Sequence, residues 1–228
     1  MNQHSLLFFD SLNNKIVNIV GPSGSGTSVL FYNIAREALQ KNQKIMFISF
    51  NQESKQLKEL LSNISDKKLS EINDNLILVD AYSQTVGIES KEKYSINSRD
   101  LSNVSIGVSK ALENNPSTVF FDPFSSIAIH HDEQSLIKTI QIIISKLRNN
   151  VNCSYFTFQS GIHSESFYNT INSLADINLV LKFEEQKTEE IRRSINVQSS
   201  KGIRLDNKYH QFIIEDNGLI KFVTQIDY

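Results

Sequence analysis

The sequence predicts an α/β fold in which a mostly parallel β-sheet is flanked by helices and finished by a small antiparallel extension. Short segments rich in Ile, Val and Phe alternate with segments whose apolar residues recur every three or four positions. Towards the carboxyl terminus the pattern changes to three short strand-like segments, the last two joined by a turn at 216–218. The length of 228 residues suits one α/β domain, so we expect a single domain over residues 1–228.

The same periodicities give the order of the elements. Parallel strands are predicted at 15–20, 44–50, 76–80, 118–122, 153–158 and 177–183, and antiparallel strands at 191–197, 209–214 and 219–223. Helices are predicted at 28–41, 56–64, 100–112, 133–149 and 164–174, with Asp100 and Asp132 as N-caps. Residues 1–13 are expected to form an edge strand or packing arm, and 65–75 a loop. Residues 81–99 are predicted to form a long loop that is functional or mobile.

Composition excludes several classes of protein. The net charge of −2 provides no global positive field for nucleic acid or anionic lipid. Cys153 is the single cysteine, so no internal disulfide can form. There is no apolar run of 18 residues, and the first ten residues lack the pattern of a signal peptide. We expect a cytoplasmic protein without membrane insertion.

The most informative stretch is a glycine-rich loop between the first strand and the first helix, with the pattern G-x-x-x-x-G-x-S. This is the setting of a phosphate-binding P-loop, in which backbone N–H groups and a helix N-terminus surround the phosphates. The residues expected to bind nucleotide here are Gly21, Pro22, Ser23, Gly24, Ser25, Gly26, Thr27 and Ser28.

One position departs from the P-loop pattern, because Thr27 stands where a lysine is expected. A lysine would add a charge-assisted contact worth about 1.5–3 kcal/mol, so its absence weakens nucleotide binding without preventing it. Hydrolysis should suffer more, because that charge offsets the charge that develops during phosphoryl transfer. A glycine-rich turn without a ligand is the alternative.

The segment 119–122 is an apolar strand that ends in Asp122, as in a Walker B motif. Such a carboxylate holds Mg²⁺, often through water, and a P-loop serine supplies a hydroxyl to the same ion. Ser28 and Asp122 are therefore the predicted Mg²⁺ residues.

Four segments in this order resemble the RecA-fold family that includes KaiC and the archaeal KaiC/GvpD-type ATPases, over about residues 15–222. They are Gly21–Ser28, Ile48–Glu53, Asp122–Ser126 and Ser199–Asp206, the last leading to a strand at 212–214. The resemblance implies a RecA-like P-loop NTPase core that binds Mg·ATP or ADP, if it binds nucleotide at all.

The resemblance also shows what this chain lacks. Active members carry the loop lysine and acidic residues after the second strand, whereas this chain has Asn51 and Gln52 there. Amides can orient a water molecule but cannot accept its proton at neutral pH. Glu53, one position further along, is the only catalytic candidate. The sequence reads as a degenerate ATPase.

The family's assembly mode adds further candidates. RecA-like subunits bind nucleotide between neighbours, and the resemblance puts Lys201 and Arg204 at a neighbour's γ-phosphate; an exposed hairpin with solvated cations is the alternative. Gln159 matches a polar position near the phosphate. The mixed charges of 187–193 indicate a solvated connection. The pair His130-His131 is unsuited to a metal site.

Three functions follow. The favoured one is a regulatory or assembly component with weak or no ATP hydrolysis. The second is a slow ATPase completed by a neighbouring subunit, which is either another copy or a related RecA-like protein. The third is a recombinase paralogue that binds single-stranded DNA through 81–99, which is disfavoured because Glu89 and Glu92 offset the loop's cations.

Overall fold

The computed structural model describes residues 14–65, 67–184, 191–202 and 208–223. The strands are β1 (Lys15–Gly21), β2 (Ile45–Ser49), β3 (Leu76–Asp80), β4 (Tyr94–Ser95), β5 (Thr118–Asp122), β6 (Cys153–Gln159), β7 (Ile177–Phe183), β8 (Arg193–Ser200), β9 (His210–Ile214) and β10 (Ile220–Phe222). The helices are α1 (Thr27–Gln40), α2 (Ser54–Ser65), α3 (Leu69–Asn73), α4 (Leu101–Leu112), α5 (Glu133–Leu147) and α6 (Glu165–Leu174). Two 3-10 turns lie at Gln84–Val86 and Phe124–Ile129.

All ten strands belong to one sheet, in the order β10-β9-β8-β7-β1-β6-β5-β2-β3-β4. The strands from β7 to β4 pair in parallel. The strands β8, β9 and β10 add to β7 as antiparallel neighbours. The predicted fold class, a mostly parallel α/β sheet with a small antiparallel extension, is confirmed.

Each face of the sheet has its own apolar core, and strand β5 contributes to both because its side chains alternate. On one face Phe120 stacks between Phe47 and Tyr155, with ring centroids 5.5 and 5.2 Å away. On the other face Phe121 stacks on Phe156 at 4.3 Å. Helices α1 and α2 cover the first face and α4, α5 and α6 the second. The central strands are therefore fixed from both sides, which sets the positions of their carboxyl ends.

Two predictions about the connections are wrong. Residues 65–75 were expected to form a loop, but they contain α3, whose Ile72 is fully buried against the core of α1 and α2. Residues 81–99 were also expected to be without secondary structure. They contain a 3-10 turn and strand β4, which extends the sheet beside β3.

Asp80, the last residue of β3, holds the segment 81–99 in place. Its carboxylate accepts hydrogen bonds from the Tyr82 and Ser83 amides at 3.0 and 2.8 Å. The Ser83 and Ser90 hydroxyls each donate to its other oxygen at 2.7 Å. Burial tends to raise the pKa of Asp80, but these hydrogen bonds outweigh it and lower the pKa below the ordinary 3.8.

Both predicted N-caps are confirmed: the Asp100 carboxylate accepts from amides in the first turn of α4, and Asp132 does so in α5.

The predicted arm at 1–13 lies outside the described residues, as does Arg204. Within the described ranges, no helix combines the length and apolarity needed to cross a membrane.

We expect Asp80→Asn to lower the free energy of unfolding at pH 7 by about 2 kcal/mol, because it weakens charge-assisted hydrogen bonds to a buried carboxylate. Since the pKa of Asp80 is lowered by folding, its contribution is present above pH 3.8 and is lost as the pH falls below that value. Urea unfolding from pH 3 to 7 measures the difference from the wild type. Asp74→Asn, at the end of α3, is the control. A difference that is the same at every pH would contradict this explanation.

Candidate nucleotide site

The P-loop connects β1 to α1 in a path that its glycines permit. Gly24 and Gly26 have φ angles of +79° and +96°, which favour glycine. Gly21 is required for a different reason, since a Cβ there would lie 2.5 Å from the Ser25 hydroxyl oxygen. The amide of Ser25 donates to the Pro22 carbonyl at 3.1 Å and closes the turn.

Helix α1 begins directly after this loop and its N-terminus carries no side-chain cap. Gly26 occupies the N-cap position, and its carbonyl accepts the first helical bond from Leu30 at 2.8 Å. The first amides of an α-helix have no partner within the helix, so they are available to an anion. Thr27, at the lysine position, is the first helical residue and turns its methyl group towards Gly21.

The hydroxyl of Ser28 faces the carboxylate that ends strand β5. It donates to Asp122 Oδ1 at 3.0 Å, and the Thr157 hydroxyl of β6 donates to the same oxygen at 2.6 Å. Asp122 is 1% exposed. Burial raises the pKa of Asp122 to about 6, although its interactions with the Thr157, Ser28 and Tyr32 hydroxyls oppose that shift.

The second oxygen of this carboxylate fits a metal ion. Asp122 Oδ2 is buried and has no hydrogen-bond partner among the described residues. A buried acceptor without a partner is costly. Mg²⁺ prefers oxygen ligands and commonly uses one carboxylate together with nucleotide phosphates. Asp122 and Ser28 could therefore hold Mg²⁺ beside phosphates bound in the loop.

Tyr32 lies one helical turn beyond Ser28 and connects the carboxylate to the segment after β2. Its hydroxyl accepts a hydrogen bond from the Gln52 amide nitrogen at 2.8 Å. Burial, and then the negative charge of Asp122, raise the pKa of Tyr32 above its ordinary value. The Gln52 side chain, which stands where active relatives are expected to carry an acidic residue, is therefore hydrogen-bonded to α1.

Comparison with known families agrees with this arrangement. The family model described as "ATPase: KaiC" matches residues 11–226, almost the whole chain. The chain belongs to the KaiC ATPase family. A search of curated proteins finds no match. Members of this family generally bind nucleotide with Mg²⁺, and the chain has the RecA-like fold of a nucleotide-binding protein.

Two residues flank Gln52: Asn51, which the resemblance places in the acidic pair of active members, and Glu53, one position beyond that pair. Asn51 and Glu53 are exposed. Glu53 lines a separate groove of about 440 Å³ between α2, α3 and the segment 83–92. The described structure therefore brings Gln52, but not Glu53, into the network around Asp122.

Gln159 lies beside the start of the P-loop. It ends strand β6 in register with Gly21, and the next amide, that of Ser160, donates to the Gly21 carbonyl at 2.8 Å. The backbone N–H of Gln159 donates to the Ser125 hydroxyl at 2.8 Å, which fixes the strand end against the segment after Asp122.

Lys201 lies beside the amino-terminal ends of the parallel strands, whereas its own P-loop follows the carboxyl end of β1. It follows β8, which runs antiparallel to β7, and its amide donates to the carbonyl of Asp176, the residue before β7. Its ammonium group donates to the Ser173 carbonyl at the end of α6. Lys201 could therefore reach a P-loop only in another subunit. Arg204, predicted beside it, lies outside the described residues.

Two histidines outside the P-loop have structural partners. His131 bonds the Ser98 carbonyl at 2.8 Å through a ring nitrogen. His163 stacks on Phe167 and lies 3.7 Å from Glu133. In the described ranges, no three His, Cys, Asp or Glu side chains are grouped in a way that could hold a metal ion.

Sequence reasoning missed three residues of the site: Tyr32, Thr157 and Arg193. Tyr32 could have been found, because it lies four residues after Ser28 and so on the same face of α1. Thr157 is one of several polar residues on an apolar strand, and nothing in the sequence marks it. Arg193 was assigned to a solvated connection, yet its Nε donates to the Gly24 carbonyl at 3.2 Å.

We expect the Mg²⁺-free, nucleotide-free protein to lose stability between pH 4 and pH 8 because of Asp122. The pKa of this group is raised from 3.8 to about 6 by folding, so its contribution is fully present below pH 3.8 and is lost as the pH rises through 6. The loss should reach about 3 kcal/mol above pH 7. Urea unfolding across this pH range in a metal chelator measures it.

Asp122→Asn should remove this part of the pH dependence, because an amide does not ionise. The matched control is Asp100→Asn, which removes an exposed carboxylate but preserves N-capping. If Asp122→Asn retained the wild-type pH profile, the charge on Asp122 would not be its cause.

Proposed function

We propose that this KaiC-family protein binds Mg·ATP or Mg·ADP in its P-loop, hydrolyses ATP weakly or not at all, and acts as a regulatory or assembly component. One observation carries the proposal. The start of α1 and the Ser28–Asp122 pair are arranged as a site for phosphate and Mg²⁺ would be. By contrast, neutral residues stand where active relatives carry the loop lysine and the acidic pair: Thr27, Asn51 and Gln52.

Binding is supported by the loop and by the carboxylate behind it. Gly24 and Gly26 adopt the left-handed backbone that a P-loop needs, and the uncapped start of α1 provides amides for phosphate. Asp122 Oδ2 is a buried acceptor for which Mg²⁺, directly or through water, would supply the partner.

Weak hydrolysis is supported by the neutral residues and by their contacts. Gln52 has no carboxylate to accept the proton of an attacking water, and it donates to Tyr32. Thr27 provides no positive charge for the transferring phosphoryl group. These two losses act on the transition state more than on bound nucleotide, so binding can outlast catalysis.

A protein that binds nucleotide without turning it over acts by preferring one conformation or one assembly when nucleotide is bound. The partner we propose is another copy of this chain or a related RecA-like subunit. The position of Lys201 at the far edge of the sheet from its own loop supports contact with a neighbour's nucleotide.

The same position of Lys201 favours a second function, a slow ATPase completed between subunits. In that case hydrolysis depends on protein concentration and is lost in Lys201→Ala and Arg204→Ala. The wild-type protein would then hydrolyse ATP when concentrated or mixed with its partner. Glu53→Gln would test whether Glu53, the carboxylate just before α2, takes part in that hydrolysis.

Nucleotide binding is tested by thermal melting with and without Mg·ADP and Mg·ATP. At about 100 times the dissociation constant, a ligand should add about 2.7 kcal/mol to the stability of the folded state. Gly26→Asp should abolish the shift, because it places a side chain and a negative charge where φ is +96°. Gly87→Asp, a glycine at φ +82° with open space around it, is the control. No shift with wild-type protein would overturn the proposed binding.

The loss of hydrolysis is tested by restoring the missing groups. We expect the triple variant Thr27→Lys, Asn51→Glu, Gln52→Glu to hydrolyse ATP at least about 10-fold faster than wild type, since each group lowers the barrier for phosphoryl transfer. Asp122→Ala added to the triple variant should abolish the gain. Steady-state phosphate release measures both. Wild-type turnover that Asp122→Ala abolishes would contradict a non-catalytic role.

A further inference from the structure

The outer side of the P-loop rests on the antiparallel extension of the sheet. A Cβ at Gly24 would lie 3.5 Å from the Phe183 ring. A Cβ at Gly26 would lie 3.3 to 3.4 Å from Ile214, Arg193 and Phe212. The two glycines are thus in close contact with β7, β8 and β9, and these strands bring a cation with them.

That cation is Arg193, the first residue of β8. Its backbone is fixed from both sides, because it pairs with Phe183 of β7 and with Phe212 of β9. Its Nε donates to the Gly24 carbonyl at 3.2 Å, and one terminal nitrogen donates to the Ile191 carbonyl at 3.4 Å. The guanidinium carbon lies 5.8 Å from the centre of the Phe183 ring.

The positive charge of Arg193 is not neutralised by the described residues. No described carboxylate forms an ion pair with it, and the nearest acid along β7, Glu184, lies 3.8 Å from Lys182 instead. Within the described part of the chain, its hydrogen bonds go to neutral carbonyl oxygens at 3.2 and 3.4 Å. A guanidinium bonds phosphate more strongly than it bonds a neutral carbonyl, and does so with two parallel donors.

We propose that Arg193 supplies, within the same chain, the positive charge that Thr27 does not provide, and that it is a phosphate-binding residue of this P-loop. The inference rests on the proposed nucleotide binding and deepens it. In the absence of nucleotide, Arg193 is held at the loop by the Gly24 carbonyl. When nucleotide binds, its flexible side chain exchanges the carbonyl contacts for phosphate oxygens.

This assignment differs from the roles proposed for Lys201 and Arg204. Those residues require a second subunit, whereas Arg193 contacts its own loop. It also accounts for the close packing at Gly26, because a side chain there would crowd Ile214 of the extension and lie 3.4 Å from Arg193.

A double-mutant cycle on Mg·ADP binding tests the proposal, with dissociation constants measured by calorimetry for wild type, Arg193→Gln, Thr27→Lys and the double variant. Arg193→Gln alone should weaken binding by about 10- to 100-fold, the range of a charge-assisted contact. In the Thr27→Lys background the same change should weaken binding less than about 3-fold, because the lysine already provides the charge. Arg99→Gln removes an exposed arginine at the opposite edge of the sheet and should change neither value.

Two further measurements separate a phosphate contact from a structural one. Arg193→Lys keeps the charge and should retain part of the affinity, and Arg193→Gln should leave the melting temperature of the nucleotide-free protein close to that of wild type.

Excess Gly26→Asp protein, which carries Arg193 but does not bind nucleotide, should not rescue nucleotide binding by Arg193→Gln protein.

The outcomes are distinct. Equal losses in both backgrounds, or a lowered melting temperature without nucleotide, would make Arg193 a structural support of the loop and overturn the proposal. Rescue by Gly26→Asp protein would move the contact to a neighbouring subunit and overturn the assignment within one chain. Wild-type protein that binds no Mg·ADP would overturn the proposed function, and this inference with it.

Discussion

The burial of one carboxylate, Asp122, shapes the whole site. It ends a central strand that is packed on both faces, so it cannot move away from the loop after β1. Ser28 and Thr157 satisfy one of its oxygens, whereas the other oxygen has no partner among the described residues. A charge buried in this way is unfavourable without a counter-charge. The arrangement is suited to receiving a cation.

The distribution of charge around the loop is the physical basis for the proposed separation of nucleotide binding from catalysis. A P-loop with its lysine carries its own positive charge beside the phosphates, but Thr27 is neutral. The remaining attraction comes from the backbone dipoles, from Mg²⁺ and from cations that other parts of the fold bring close. Arg193 is such a cation within the chain. None of these groups can take a proton from water, which is why we propose that the site holds nucleotide without efficient hydrolysis.

In the function we propose, the antiparallel extension has a role beyond completing the sheet. Strands β8 and β9 reverse the chain direction, which brings residue 193 to the loop and sends Lys201 to the far edge. Arg193, the first residue of β8, thus contacts the P-loop, whereas Lys201, the residue after β8, lies at the other end of the strands. If a neighbouring subunit binds nucleotide against Lys201, as we propose, β8 would connect the two sites.

The sequence by itself determined the fold class, the P-loop, the order of the strands along the chain and the residues missing for hydrolysis. The first three follow from local patterns: apolar periodicity, glycine positions, and strands that end in carboxylates. The residues missing for hydrolysis were identified through the resemblance to the KaiC-type family. It did not predict α3 or strand β4, because each is formed by contacts distant in sequence, of Ile72 with the core and of Tyr94 with Val79. Only the tertiary structure decided that Tyr32 and Gln52 meet, that Glu53 faces another groove and that Arg193 lies on the loop. The physical reason is that side-chain partners across a sheet depend on strand order and register, which local sequence patterns do not encode.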